Sequence, residues 1–319
     1  MTIQPTAFIL GAGFSALQQF PLVRGLRDRV LHFLEAEQHS SYRMFLEPNN
    51  GGLPEGQFKS GLNLVDASGK LEFEELLVEL AKRIKTAGPS DPYPITARVL
   101  RIGCSRLLWC IHGFIWQPET CYRNFAEHLR NSPGSVVISF NWDLLLERTL
   151  TDAGIPWSYN LSPSGVSIIK PHGSINWSGH LRKGLTADYA GWEPLGSGSK
   201  LCFDASNPLA NPNMQDINSD LRYMIFPGDP ELPKEDADIS WLWEKARAAL
   251  LGVDSAAFIG YSLPDYDTFA SDFFESELAG KRIEAFTPSD DHLKRFETLF
   301  GGRAILKNEK FEHCAYARA

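Results

Sequence analysis

Thr6-Ala7-Phe8-Ile9-Leu10-Gly11-Ala12-Gly13-Phe14-Ser15-Ala16 is the stretch on which the fold turns. The short apolar run Thr6–Leu10 breaks at Gly11-Ala12-Gly13, the pattern of a buried strand entering a glycine turn. Gly11 to Ala16 fit G-x-G-x-x-A, in which glycines permit a tight turn and let a pyrophosphate approach backbone N–H groups. Taken alone the match leaves a plain structural turn open. A hydride-transfer unit of this type supplies a second strand carrying an acidic residue about 20 positions further on. Here Leu22, Leu26, Val30, Phe33 and Leu34 fall on one face of a helix instead, which disfavours a dehydrogenase.

The same punctuation recurs along the chain. Val136–Phe140 is apolar and runs into Asn141-Trp142-Asp143 and a helix over Leu144–Leu150. Val166–Lys170 stops at Pro171-His172-Gly173, Ala256–Ile259 at Gly260-Tyr261-Ser262, and Ile283–Phe286 at Thr287-Pro288-Ser289. Tyr223–Phe226 reads as one more strand. Leu71–Ile84, Ile95–Ile115, Trp241–Leu251 and Asp291–Leu299 have helical spacing, Asn49–Gly61 reads as a loop, and Ser178–Ser219 has little periodicity. Strands separated by helices predict an α/β fold with a Rossmann-like parallel sheet. We expect a single domain over 1–319, with a helical insertion at about 17–130 and an irregular second insertion at about 178–235. The polar motifs all end strands, the edge at which open α/β sheets bind ligands.

Composition narrows the classes further. The 319 residues hold 31 Lys+Arg against 39 Asp+Glu, a net charge of −8, which disfavours nucleic-acid binding driven by charge. An apolar content of 43% supports a buried core and excludes a disordered chain. No apolar run approaches the ~20 residues of a membrane helix, and Met1–Leu10 lacks the marks of a signal peptide. A soluble, cytoplasmic protein is expected. The five cysteines, Cys104, Cys110, Cys121, Cys202 and Cys314, contain no C-x-x-C pair, so they read as buried thiols without disulfides or zinc. Trp109, Phe114 and Trp116 fit a buried helix face.

Gly11-Ala12-Gly13-Phe14-Ser15, Ser139-Phe140-Asn141-Trp142-Asp143, Lys170-Pro171-His172-Gly173 and Gly260-Tyr261-Ser262-Leu263, taken in order, resemble the sirtuin (SIR2) motifs G-A-G-x-S, T-Q-N-x-D, L-H-G and G-T-S-L. The forms here are more similar to bacterial SIR2-like proteins of the NAD-hydrolysing anti-phage defence type. Two departures accompany the resemblance. In the sirtuin register G-I-P-D-F-R, only Pro21 and Arg24 match, which implies a remodelled acceptor side. The paired cysteines of the sirtuin zinc module are absent between His172 and Gly260, so no zinc is expected.

The resemblance implies Asn141 and His172 as the catalytic pair. It implies Gly11, Ala12, Gly13, Phe14, Ser15, Arg24, Asp143, Gly260, Ser262 and Thr287 as contacts to NAD+, with Asp143 at the nicotinamide end. The chemistry suits those side chains. Nicotinamide leaves C1′ of the ribose as a neutral molecule from a cation, so departure needs no general acid. What helps is a site that holds the sugar and stabilises an oxocarbenium-like state. A neutral amide orients a ribose hydroxyl or a water without adding charge, and an imidazole accepts a proton near neutral pH. Asn141 and Asp143 also suit plain helix capping.

The expected activity is therefore an NAD+ hydrolase releasing nicotinamide and ADP-ribose. The alternatives are an NAD-dependent protein deacylase and a subunit that senses NAD+ or ADP-ribose without turnover. The resemblance implies a homo-oligomer or a partner such as a HerA-type ATPase or an Argonaute. Leu71–Ile84 and Ile95–Ile115 are the expected contact surface, with an internal core as the alternative.

Overall fold

The computed structural model describes residues 5–22, 25–38, 55–66, 69–88, 90–114, 117–161, 165–178, 192–194, 202–204, 209, 222–225 and 236–318. The strands in chain order are β1 (Thr6–Leu10), β2 (Val136–Ser139), β3 (Trp157–Ser158), β4 (Val166–Ile169), β5 (Gly173–Ser178), β6 (Trp192–Pro194), β7 (Cys202–Asp204), β8 (Arg222–Met224), β9 (Ser255–Ile259), β10 (Arg282–Phe286) and β11 (Ala304–Lys307). The helices are α1 (Ala12–Ser15), α2 (Leu26–Gln38), α3 (Glu55–Val65), α4 (Phe73–Ile84), α5 (Tyr93–Phe114), α6 (Thr120–Arg130), α7 (Leu145–Asp152), α8 (Ala237–Leu251), α9 (Thr268–Glu277) and α10 (Asp290–Phe300).

Seven strands form one parallel sheet in the order β11-β10-β9-β1-β2-β4-β3. β1, β2, β4 and β9 are almost wholly buried, which explains their continuous apolar reading rather than an alternating one. Side-chain direction shows that both faces are covered. Phe8 packs on Phe125 of α6 and on Tyr316. Phe258 is registered one step off Phe8, so it points to the other face, where it meets Phe274 of α9 and Phe296 of α10. Each such ring, fully buried, contributes about 1.5–3 kcal/mol. β1 lies between β2 and β9, and the strands run outward from it in both directions. This is the switch point whose carboxyl edge opens a crevice.

Between β1 and β2 the chain builds α2 to α6. The apolar faces of α4 and α5 turn inward: Leu76, Leu77, Leu80, Leu100, Cys104, Leu107 and Leu108 are buried. They are therefore internal core and not the contact surface expected for a partner. Glu55–Val65 is helical, not a loop. Its Gly61 allows α3 to cross α5, because a Cβ there would lie 2.0 Å from Thr96 Oγ1. Glycine here signals close helix packing rather than a turn.

Phe114 is exposed at the end of α5, and Cys110 is exposed as well, so neither follows the expected burial. Trp116 lies outside the described residues. Much of the irregular stretch also lies outside them, but β6, β7, β5 and β8 form a small antiparallel sheet there. No helix among the described residues is long and apolar enough to cross a membrane.

Candidate active site

At the carboxyl edge, the loops after β1 and β9 touch backbone to backbone. Gly11 N–H donates to Ile259 O (3.1 Å), and Gly13 N–H to Gly260 O (3.0 Å). A Cβ on Gly11 would come within 2.5 Å of Tyr261 Cα. One on Gly260, whose φ is +63°, would meet Phe14 N at 2.4 Å. The glycines are thus required by the contact between these loops. Phe14 N–H also donates inward, to Gly11 O (2.8 Å). Three amides of the turn are therefore committed, so a bound phosphate would find fewer free donors than the sequence pattern suggests.

Asn141 follows β2 and reaches under this loop. Its Nδ2 donates to Gly11 O (3.0 Å) and to Ser15 Oγ (3.1 Å). Gly11 O can only accept, which fixes the amide orientation and turns Oδ1 the other way as an acceptor. Ser15 in turn hydrogen-bonds Asp143, which also receives Leu145 N–H (3.0 Å) at the start of α7. Burial holds the Asp143 carboxyl above its ordinary range, against the opposing pull of Lys170.

Lys170 itself is fully buried. Its Nζ donates to Asp143 O (2.6 Å) and Glu147 Oε1 (3.0 Å), and Glu147 also receives Tyr159 OH (3.0 Å). This ion pair pins the Asn141–Asp143 turn to β4.

His172 lies just after β4, and its Nε2 is 3.1 Å from Asp267 Oδ2. Asp267 also receives Tyr261 OH (3.1 Å) and, as the cap of α9, Ala270 N–H (3.3 Å). A carboxylate accepts, so Nε2 carries the hydrogen in the neutral ring and Nδ1 is left as the acceptor. Trp142 Nε1 and Ile225 N–H both donate to His172 O (2.8 and 2.9 Å), and Phe140 meets the ring edge-on. Asp267 and Phe140 hold the ring, and Trp142 and Ile225 hold its backbone.

These groups open into one cleft of about 720 Å³, counted out to its mouth. Its lining contains Gly11, Ala12, Ser15, Asn141, Asp143, His172, Gly260 and Ser262. Gly13 and Phe14 lie behind it, Phe14 in an aromatic cluster with Tyr122, Phe125 and Phe311. Thr287 is off the lining, and its hydroxyl meets His292 Nδ1 at 3.2 Å. Arg24 lies outside the described residues. Leu263, next to Ser262, adopts φ +46°, an uncommon conformation for a branched residue, and Arg295 holds the Ser262 and Leu263 carbonyls.

The helical side of the lining comes from the loop and helices after β1: Phe20, Pro21, Leu26, Leu108 and Glu74. Glu74 sits in the first turn of α4, where Glu72 and Glu75 make the capping box. Arg27 of α2 pairs with Asp66 and donates to Leu71 O (2.9 Å), tying the start of α4 in place. Burial, with a smaller push from Asp267, raises the Glu74 carboxyl to about 8 although part of it opens on the cleft. Asp267 and Glu74 were missed in the sequence. Asp267 carries a capping signal before Thr268 but nothing that links it to His172, and Glu74 looks like any acid at a helix start. Among the described residues, no group of three or more His, Cys, Asp or Glu is arranged to hold a metal.

No family model matches the chain, and no curated protein matches it. A solved structure described as "Structural Basis for the Mechanism and Regulation of Sir2 Enzymes" aligns over 97% of this chain and 88% of that one. The two are 13% identical, with a TM-score of 0.37, and a likeness that distant carries no argument about chemistry here.

Proposed function

We propose that the chain hydrolyses NAD+ at the nicotinamide–ribose bond, giving nicotinamide and ADP-ribose. The carrying observation is one cleft in which Asn141 Oδ1 and His172 Nδ1 are both left as acceptors by the bonds that fix their other atoms. Asn141 Oδ1 receives a hydroxyl of the ribose or the attacking water. His172, oriented by Asp267, takes the proton that hydroxyl or water gives up. Asp143 marks the nicotinamide end, and Gly11, Ala12, Ser15, Gly260 and Ser262 border the rest of the nucleotide.

In this reading the motif resemblance also implies a role in bacterial anti-phage defence, with turnover gated by self-assembly or a partner protein. The test is incubation of the purified protein with NAD+ and identification of the products, with and without an acetylated peptide. Nicotinamide and ADP-ribose in equal amounts, independent of peptide, are expected. Acyl-ADP-ribose formed only with peptide would replace hydrolysis by deacylation, and binding without products would leave a sensing subunit.

A further inference from the structure

Glu74 differs from the other carboxyls around the cleft. Asp143 receives an amide, and Asp267 receives an amide and a phenol and lies 3.1 Å from His172 Nε2, whereas Glu74 makes no hydrogen bond or ion pair with a described residue. Glu75 does the capping at the start of α4, so local structure does not require an acid at 74. The titratable groups that face it are Asp267 at the start of α9, Tyr261 after β9 and the Cys104 thiol of α5. Asp143 and His172 lie on the same lining, and Phe20, Leu26 and Leu108 supply the apolar surroundings. A carboxylate among apolar side chains and beside a second carboxylate is costly. Either a proton or an incoming cation relieves that cost.

We infer that Glu74 is a specificity-determining residue that meets the cationic ring of the substrate, as a carboxylic acid in the free protein and as a carboxylate in the complex. The inference rests on the proposed NAD+ chemistry. The exchange balances, because one pyridinium enters and one proton leaves Glu74 for solvent. When the C1′–N1 bond breaks, its electron pair passes to N1 and the ring becomes neutral. The positive charge moves to the ribosyl carbon, where the Glu74 carboxylate still opposes it, until water oxygen bonds to C1′ and gives up its proton. NADH, of nearly the same shape but with a neutral ring, gains nothing from this ionisation. Glu74 thereby selects the oxidised dinucleotide.

The test uses the full chain and an NAD+ analogue whose nicotinamide-ribose ring oxygen is replaced by methylene, so the cation is kept and cleavage is not. Calorimetry in two buffers of different ionisation enthalpy counts the protons released. A group near pH 8 that ionises fully on binding releases about 0.9 proton at pH 7. The analogue should bind up to about tenfold more tightly for each pH unit between 6 and 8, while NADH shows no such slope. In Glu74→Gln, proton release and slope should vanish, and preference for the analogue over NADH should fall at least about tenfold. The difference between the two proteins isolates Glu74. Wild-type protein that binds the analogue without releasing a proton overturns the inference, whether or not the Gln variant folds. A folded Gln variant that keeps the release overturns it too. Each of these leaves NAD+ hydrolysis standing. Wild-type protein that binds neither dinucleotide and releases no nicotinamide from NAD+ overturns both.

Discussion

On the sheet side of the cleft, Asn141, Ser15, Asp143 and the His172–Asp267 pair hold one another in place, whereas on the helical side Phe20, Pro21, Leu26 and Leu108 surround a carboxyl with no bonded partner among the described residues. The sheet wall spends its hydrogen bonds on geometry. Each polar side chain there has one atom fixed by protein, which aims the other. The helical wall spends apolar surface on desolvation, which makes a single charge matter more. A reaction centre needs the first kind of wall, and a choice among ligands needs the second.

The largest effect expected of a single change is on the sheet wall. His172→Ala should lower nicotinamide release about 10²–10⁴-fold while the melting temperature stays near wild type, and Asn141→Ala should do the same. A variant that keeps its rate would end the assignment of chemistry to this wall. Next comes the support beneath it. Lys170→Met strands Glu147 as a buried charge and should cost about 3–5 kcal/mol in urea unfolding. Replacing both members, Lys170→Met with Glu147→Leu, should cost distinctly less. Equal losses would mean that the pair is not coupled.

The smallest effect lies where the two regions meet. His112 of α5 is buried with Nδ1 unpartnered, and burial, aided by the Arg148 charge, lowers it to about 4. The folded protein therefore keeps the ring neutral where the unfolded chain protonates it, so stability falls as pH drops from 6.5 towards 4. His112→Leu should remove about 1–3 kcal/mol of that acid loss, read as the difference between urea midpoints at pH 7 and pH 4.5. An unchanged acid loss would place the weakness elsewhere.

The sheet side is legible in sequence because its elements end abruptly. Val136–Phe140 and Ala256–Ile259 are apolar runs that stop at a polar or glycine residue, and the stop is the site. The helical side is read less well. Gly61 looks like a loop residue until the crossing of α3 and α5 explains it; α6 is missed although Tyr122, Phe125, Ala126 and Leu129 fall at helical spacing on one buried face, and the short α9 and β11 have weaker patterns. Glu74 and Asp267 escape for a different reason. Their roles come from being brought near each other across 193 residues of chain, and spacing along a helix contains no trace of that. The internal packing of α4 and α5 is a further case, because an apolar face looks the same whether another helix or another protein covers it.

β1 waits long for one of its two neighbours. Thr6 stands beside Ser255, 249 residues later in the chain. At a ribosomal rate of about 5–20 residues per second, the leading strand waits roughly 12–50 s for that neighbour. Throughout that interval the Gly11–Ser15 loop has no Gly260 to lean on, so the cleft does not exist on the nascent chain. If the proposed NAD+ chemistry holds, unfinished copies leave the cell's cofactor untouched, and a prematurely terminated product lacking β9 should be inert towards it.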